Sequence, residues 1–200
     1  MTTRSAEAPP QLVFACATVA EQRAGRRAGV PTALVGLGAV NGVPGGRVVS
    51  FGLAGALDSL PVGTVIDATR VVAEDGGLLW EGGPLGIAGA QRGTILAAGG
   101  LIDDAAERGR LHAATGAVAA DLESGPLAGS GRLGGVLRVV SDTPERPLGG
   151  LAGGVTAAGR YDWPGLAKAF VRSPRACVRA AAAAGRALRE LTEAARRVPA

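Results

Sequence analysis

Short apolar runs with strand character fill the first two-thirds of the chain, and helical spacing takes over at its end. Residues 12–17, 31–36 (PTALVG) and 47–51 are β-branched or alanine-rich runs bounded by glycine, proline or charge, the pattern of buried strands. Further strands are predicted over 62–72, with Asp75-Gly76-Gly77 as a hairpin turn, over 93–98 and over 136–142. Helices are expected at 20–27, exposing Arg23, Arg26 and Arg27, and at 104–115, capped by Asp103 and exposing Glu107 and Arg108. The last two run over 163–171 and 174–197; the second is alanine-rich and carries Arg175, Arg179, Arg186, Arg189, Arg196 and Arg197, usually a solvated face.

The connections carry their own signals. Residues 36–42 form a glycine-rich turn, but the third glycine is misplaced for a dinucleotide fingerprint and no acidic partner follows. Pro44-Gly45-Gly46 makes a helix after it improbable. Gly52 to Gly55 are expected as a tight loop, in which glycine serves either close backbone approach to a ligand or close packing. Residues 80–89 look loop-like, residues 1–10 a disordered lead-in, and the Gly/Pro-rich stretch 144–160 a lid or entry loop.

Two hundred residues suit one domain with a sizeable core. Cys16 and Cys177 suggest a reducing compartment rather than a disulfide framework. They lack metal-ligand spacing and His112 is the only histidine, so neither a metal nor a cofactor is expected. Without an apolar leader or a membrane-length segment, the chain reads as cytoplasmic. Its net charge of +4, with aromatics at 3%, speaks against nucleic acid.

The candidate chemistry lies between 115 and 144. Asp121-Leu122-Glu123-Ser124 places two carboxylates among small apolar residues, and the run 136–142 ends in Ser141-Asp142. A carboxylate at the carboxyl end of a buried strand sits where α/β sheets bind ligands. By period-two counting Arg138 shares the strand face of Asp142. The residues alone favour a buried Glu123–Arg138 pair with Asp142 capping the next helix.

DLES followed by LRVVSDTP resembles the paired DMES and RxxSD motifs of the nucleoside phosphorylase and nucleosidase superfamily. Val49–Leu57 with 61–65 is similar to its glycine-rich strand element, and 14–21 to a first strand ending in a catalytic glutamate. The stretches 114–124 and 137–148 together with the tail 159–188 are closest to the hopanoid-associated, adenosylhopane nucleosidase subfamily.

This resemblance implies a single α/β domain over 11–200, a mixed central sheet flanked by helices. It implies cleavage of a purine N-glycosidic bond, adenosylhopane giving ribosylhopane and adenine, with Asp142 as the acid at purine N7. Asp142 would be kept protonated by a desolvated site. Glu123 would bind the ribose hydroxyls and, with Arg138, the ribose site; Glu21 would activate water. Leu101, Ile102, Leu122, Ser141, Gly52, Ala54 and Gly55 would line the pocket, Leu101 replacing a base-stacking aromatic. The co-substrate is water or phosphate; Glu21 favours water. Alternatives are a phosphorylase, a methylthioadenosine/adenosylhomocysteine-type nucleosidase, and a degenerate nucleoside-binding protein. A homodimer and peripheral membrane contact through the C-terminal arginines are compatible with the chain.

Overall fold

The computed structural model describes residues 12–146, 148 and 153–199; the lead-in expected over 1–10 and part of the 144–160 stretch lie outside them. Eight strands form one mixed sheet: β1 Val13–Cys16, β2 Thr32–Leu34, β3 Val48–Ala56, β4 Val65–Val72, β5 Leu78–Glu81, β6 Gln91–Ala97, β7 Ala119–Asp121 and β8 Leu133–Asp142. Helices α1 Val19–Ala28, α2 Ala105–Thr115, α3 Ser124–Gly129, α4 Trp163–Arg172 and α5 Pro174–Arg196 flank it. The expected α/β architecture is therefore present.

β3 pairs with β7, β7 with β6, β6 with β4, β4 with β8, and β8 again with β3, so five strands close a ring. β1 and β2 extend it from β3, and β5 from β4. One apolar cluster draws on all five ring strands, including Ala54, Ile66, Ile95, Ala119 and Val136. A second packs α1 and α5 against β1, β3 and β8 through Phe14, Phe51, Leu137, Ala187 and Leu191. Alternation along β8 places Val136 and Val140 in the first cluster and Leu137 and Val139 in the second.

The strand predicted over 47–51 does not stop at a loop. β3 runs through Gly52 to Ala56, paired with β8 as far as Gly55 and with β7 at Gly55 and Ala56. Gly52 is needed because a Cβ there would overlap Glu21 Oε1 and Arg138 Nη1. β5 likewise takes Trp80 and Glu81 from the expected loop, closing an antiparallel hairpin on β4. The cap of α2 is Asp104, one residue later than expected, and accepts from the Ala106 N–H.

Asp67 of β4 is buried, and its carboxyl accepts the backbone N–H groups of Leu85 (2.7 Å), Gly86 (2.9 Å) and Ile87 (3.2 Å). It thereby pins the segment leading into β6, where Ile87 joins the second cluster. Asp67→Asn turns an amide NH₂ towards these donors. Leaving a buried donor unpaired costs about 1–3 kcal/mol, so the urea midpoint should fall at an unchanged slope. A midpoint equal to the parent's would show that this segment is held without Asp67.

Candidate active site

β1, β3 and β8 are mutually parallel, and the chain leaving or ending each contributes to one cavity of about 490 Å³. Thr18 and Glu21 come from the turn after β1, Leu53 to Gly55 from the end of β3, and Ser141 and Asp142 from the end of β8. Asp121, Leu122 and Glu123 enter from the β7–α3 junction, and Leu101 and Ile102 from the loop before α2.

Glu21 is placed by local sequence. Thr18 caps α1 and Glu21 returns the bond, so Oε2 accepts from the Thr18 N–H (2.8 Å) and hydroxyl (2.9 Å). Its Oε1 accepts the Leu53 N–H at 2.8 Å, which ties the first turn of α1 to β3. Burial raises its proton affinity above the usual carboxylate range, against the opposing pull of Arg138.

Arg138 is fully buried and holds a cluster of carboxylates. Its Nη2 donates to Ser50 Oγ (2.6 Å) and Glu123 Oε2 (3.3 Å), and its Nη1 to Leu53 O (3.3 Å). Nε lies 2.6 Å from Asp121 Oδ2 as an ion pair, but its N–H is not aimed to make a hydrogen bond. Asp121 also accepts the Ser124 N–H and hydroxyl, while Glu123 Oε1 accepts the Gly38 N–H at 3.2 Å. Burial pushes the Glu123 carboxyl up to about 7; Arg138 lowers it, and Asp121 and Glu21 raise it further.

Asp142 belongs to a second cluster. Its Oδ2 accepts from Arg108 Nη2 at 2.5 Å and its Oδ1 from the Ser141 hydroxyl at 2.7 Å. The pairing of β3 with β8 shifts between Ala54 and Gly55, leaving Ser141 as a bulge that brings both Ser141 and Asp142 to the cavity.

Of the expected residues, Glu21, Glu123, Asp142, Leu101, Ile102, Leu122, Ser141, Ala54 and Gly55 all line the cavity. Arg138 and Gly52 do not; Arg138 has no exposed surface to offer a ribose and instead sits behind the carboxylates. The bulge breaks the period-two phase that would have put Arg138 and Asp142 on one face. Asp142 is buried away from solvent, as expected, with a guanidinium and a hydroxyl on its two oxygens. Arg108, expected to be exposed, is buried. Asp121, the nearest carboxylate to Arg138, had no role in the sequence reading. The spacing of Arg108 to the buried Leu111, three positions on, was the signal for its inward face.

The fold has known counterparts. A methylthioadenosine/adenosylhomocysteine nucleosidase of Helicobacter pylori, solved in complex with a pyrrolopyrimidine-bearing pyrrolidinol, superposes with a TM-score of 0.58 at 15% identity, covering 94% of this chain and 99% of that one. Futalosine hydrolase of the same organism gives 0.57 at 13% identity, covering 92% and 98%. A nucleosidase assigned this activity in Francisella philomiragia gives 0.56 at 15% identity, covering 90% and 97%. The chain has the fold of these nucleosidases. No protein-family model matches it, and no curated protein sequence does.

The nucleosidase fold of this chain thus encloses carboxyl groups with raised proton affinity. A group bound more tightly by protons when folded stabilises the fold at pH values below its unfolded value and loses that contribution as pH rises through its folded value. For Glu123 the window runs from the ordinary glutamate value to about 7. Stability should therefore decline with rising pH across this window in the parent and less steeply in Glu123→Gln. Parallel denaturation curves for the two proteins at every pH would show that Glu123 does not titrate there.

Proposed function

We propose that the chain hydrolyses the N-glycosidic bond of a purine nucleoside. The observation that carries this is one cavity with Glu21, Glu123 and Asp142 together in its wall. Breaking the C1′–N9 bond sends both electrons to the base and leaves positive charge on the sugar. Asp142 gives a proton to purine N7 as those electrons arrive. Glu123 accepts hydrogen bonds from the ribose hydroxyls, and the three carboxylates around a single guanidinium stabilise the sugar cation. Water adds at C1′ and passes its proton to Glu21.

Water is favoured over phosphate because Arg23, Arg26 and Arg27 all lie outside the cavity wall. Phosphorolysis would call for a cationic cradle beside the ribose.

The substrate we favour is adenosylhopane, an adenine nucleoside with a polycyclic hydrocarbon at its 5′ carbon. Leu166 of α4 and Ala181, Ala184, Gly185 and Leu188 of α5 give the cavity an apolar side. On the outside of these helices Trp163 is 72% and Val171 82% exposed, with Phe170 and Val178 also exposed. Residues 163–189 hold Lys168, Arg172, Arg175, Arg179, Arg186 and Arg189 and no acidic residue. Apolar and basic side chains together suit peripheral contact with an anionic membrane, at roughly 1 kcal/mol per basic residue near the surface. No helix among the described residues is long and apolar enough to cross a membrane.

Purified protein should release free adenine and a free reducing sugar at equal rates with and without phosphate. A ribose 1-phosphate product that requires phosphate would identify a phosphorylase instead. Asp142→Asn should fold normally and lose about a hundredfold or more in turnover, the usual effect of removing a general acid. Adenosylhopane should outcompete methylthioadenosine, and the protein should sediment with anionic vesicles at low salt but not at high salt. Preference for methylthioadenosine with no sedimentation would leave the glycosidic chemistry and remove the lipid substrate.

A further inference from the structure

Arg108 is the one basic side chain among the described residues that line the cavity. The chemistry above makes no use of it. Its guanidinium is engaged in three directions: Nε donates to Ile102 O at 2.7 Å, Nη1 to Ala56 O at 3.0 Å, and Nη2 to Asp142 Oδ2 at 2.5 Å. The first two bonds anchor it to the loop before α2 and to the end of β3. The third reaches the acid proposed for the base. Both side chains of the pair are 4% exposed.

A buried cation is costly unless paired and hydrogen-bonded, and a solvated arginine elsewhere on α2 would carry no such cost. The surroundings are shaped to it. A Cβ on Gly55 would stand 2.9 Å from Asp142 Oδ2 and 3.3 Å from Arg108 Nη1, so the strand leaves room for the pair only as glycine.

We propose that Arg108 is a positioning residue for protonation of the base: it fixes the Asp142 carboxyl in the cavity wall, one oxygen turned to Arg108 and the other to the Ser141 hydroxyl. The inference rests on the glycosidic reading of the cavity. The bond to Asp142 comes from a guanidinium already tied to Ile102 O and Ala56 O, so the carboxyl is presented to an entering purine in one orientation.

The other charged groups nearby leave this assignment with Arg108. Asp103 in the cavity wall and Glu145 beyond β8 are exposed and screened. The Thr143 hydroxyl, more than Arg108, holds the Glu145 carboxyl below its usual range. His112, one turn along α2, faces Asp58 at 3.8 Å.

The test uses Arg108→Met, which removes the charge, and Arg108→Lys, which keeps it but gives up the anchoring fork. In protein labelled with ¹³C at aspartate carboxyls, the Asp142 resonance is identified by its loss in Asp142→Asn and is read without substrate. In Arg108→Met it should broaden or split as the carboxyl samples more than one orientation. In both variants kcat should fall about tenfold or more while KM changes less, as expected for a misplaced reacting group. A single unchanged Asp142 resonance in folded Arg108→Met overturns the proposal. If that variant does not fold, Arg108→Lys at full turnover overturns it. A parent enzyme that cleaves no nucleoside refutes the glycosidic reading, while the carboxyl resonance still decides whether Arg108 orients Asp142.

Discussion

The site depends on the burial of Arg138. A guanidinium withdrawn from water in mid-strand costs several kcal/mol unless its charge is met at close range. Asp121 meets it at 2.6 Å and Glu123 at 3.3 Å, with Ser50 and the Leu53 carbonyl taking further N–H groups. Those partners sit on β3, β7 and the start of α3, so the requirement to neutralise one cation fixes how three elements meet. Glu21 feels the same charge across Gly52, the position that tolerates no Cβ. Carboxylates outnumber the cation here; burial makes Glu21 and Glu123 hold protons tightly, and at Glu123 the neighbouring Asp121 and Glu21 add to the effect. A wall with that surplus suits a reaction that builds positive charge beside it.

Asp142 is served by a separate cation on a separate element. The two clusters share no hydrogen bond among the described residues, although both are rooted in β3 and β8. One strand pair therefore carries an electronegative region and, one bulge further on, a carboxyl balanced by Arg108. A uniform strand could not do this, because alternation would turn Ser141 or Asp142 away from the cavity.

Much of this was legible in the chain. β-branched runs marked the strands because ring strands bury both faces and need no polar alternation. The start of α1 was placed at residue 20, one late, because the capping box between Thr18 and Glu21, a contact between residues three apart, was not read. What sequence spacing could not show was contact across the ring. Asp121 and Arg138 are brought together by tertiary packing, as are Arg108 and Asp142. The bulge at Ser141 belongs to the pairing with β3 and leaves no trace in β8 alone. α2 is barely amphipathic, so the inward turn of Arg108 was outweighed by its polarity. Gly52 and Gly55 suggested a loop, yet their missing side chains serve the groups packed against them within a continuous strand.

The closed ring has a consequence for how the molecule is made. β8 fits between β3 and β4, which precede it in the chain, and it supplies both Arg138 and Asp142. As the chain emerges from a ribosome, β3 and β4 wait with an unfilled gap between them. Glu21 and Glu123 meanwhile lack the cation that justifies their burial. Stable enclosure of the acids must follow insertion of the last strand. A nascent or truncated chain ending before residue 133 thus carries Glu21 and Glu123 without Asp142 and without the organising charge, so assembly of the fold and assembly of its chemistry are a single late event.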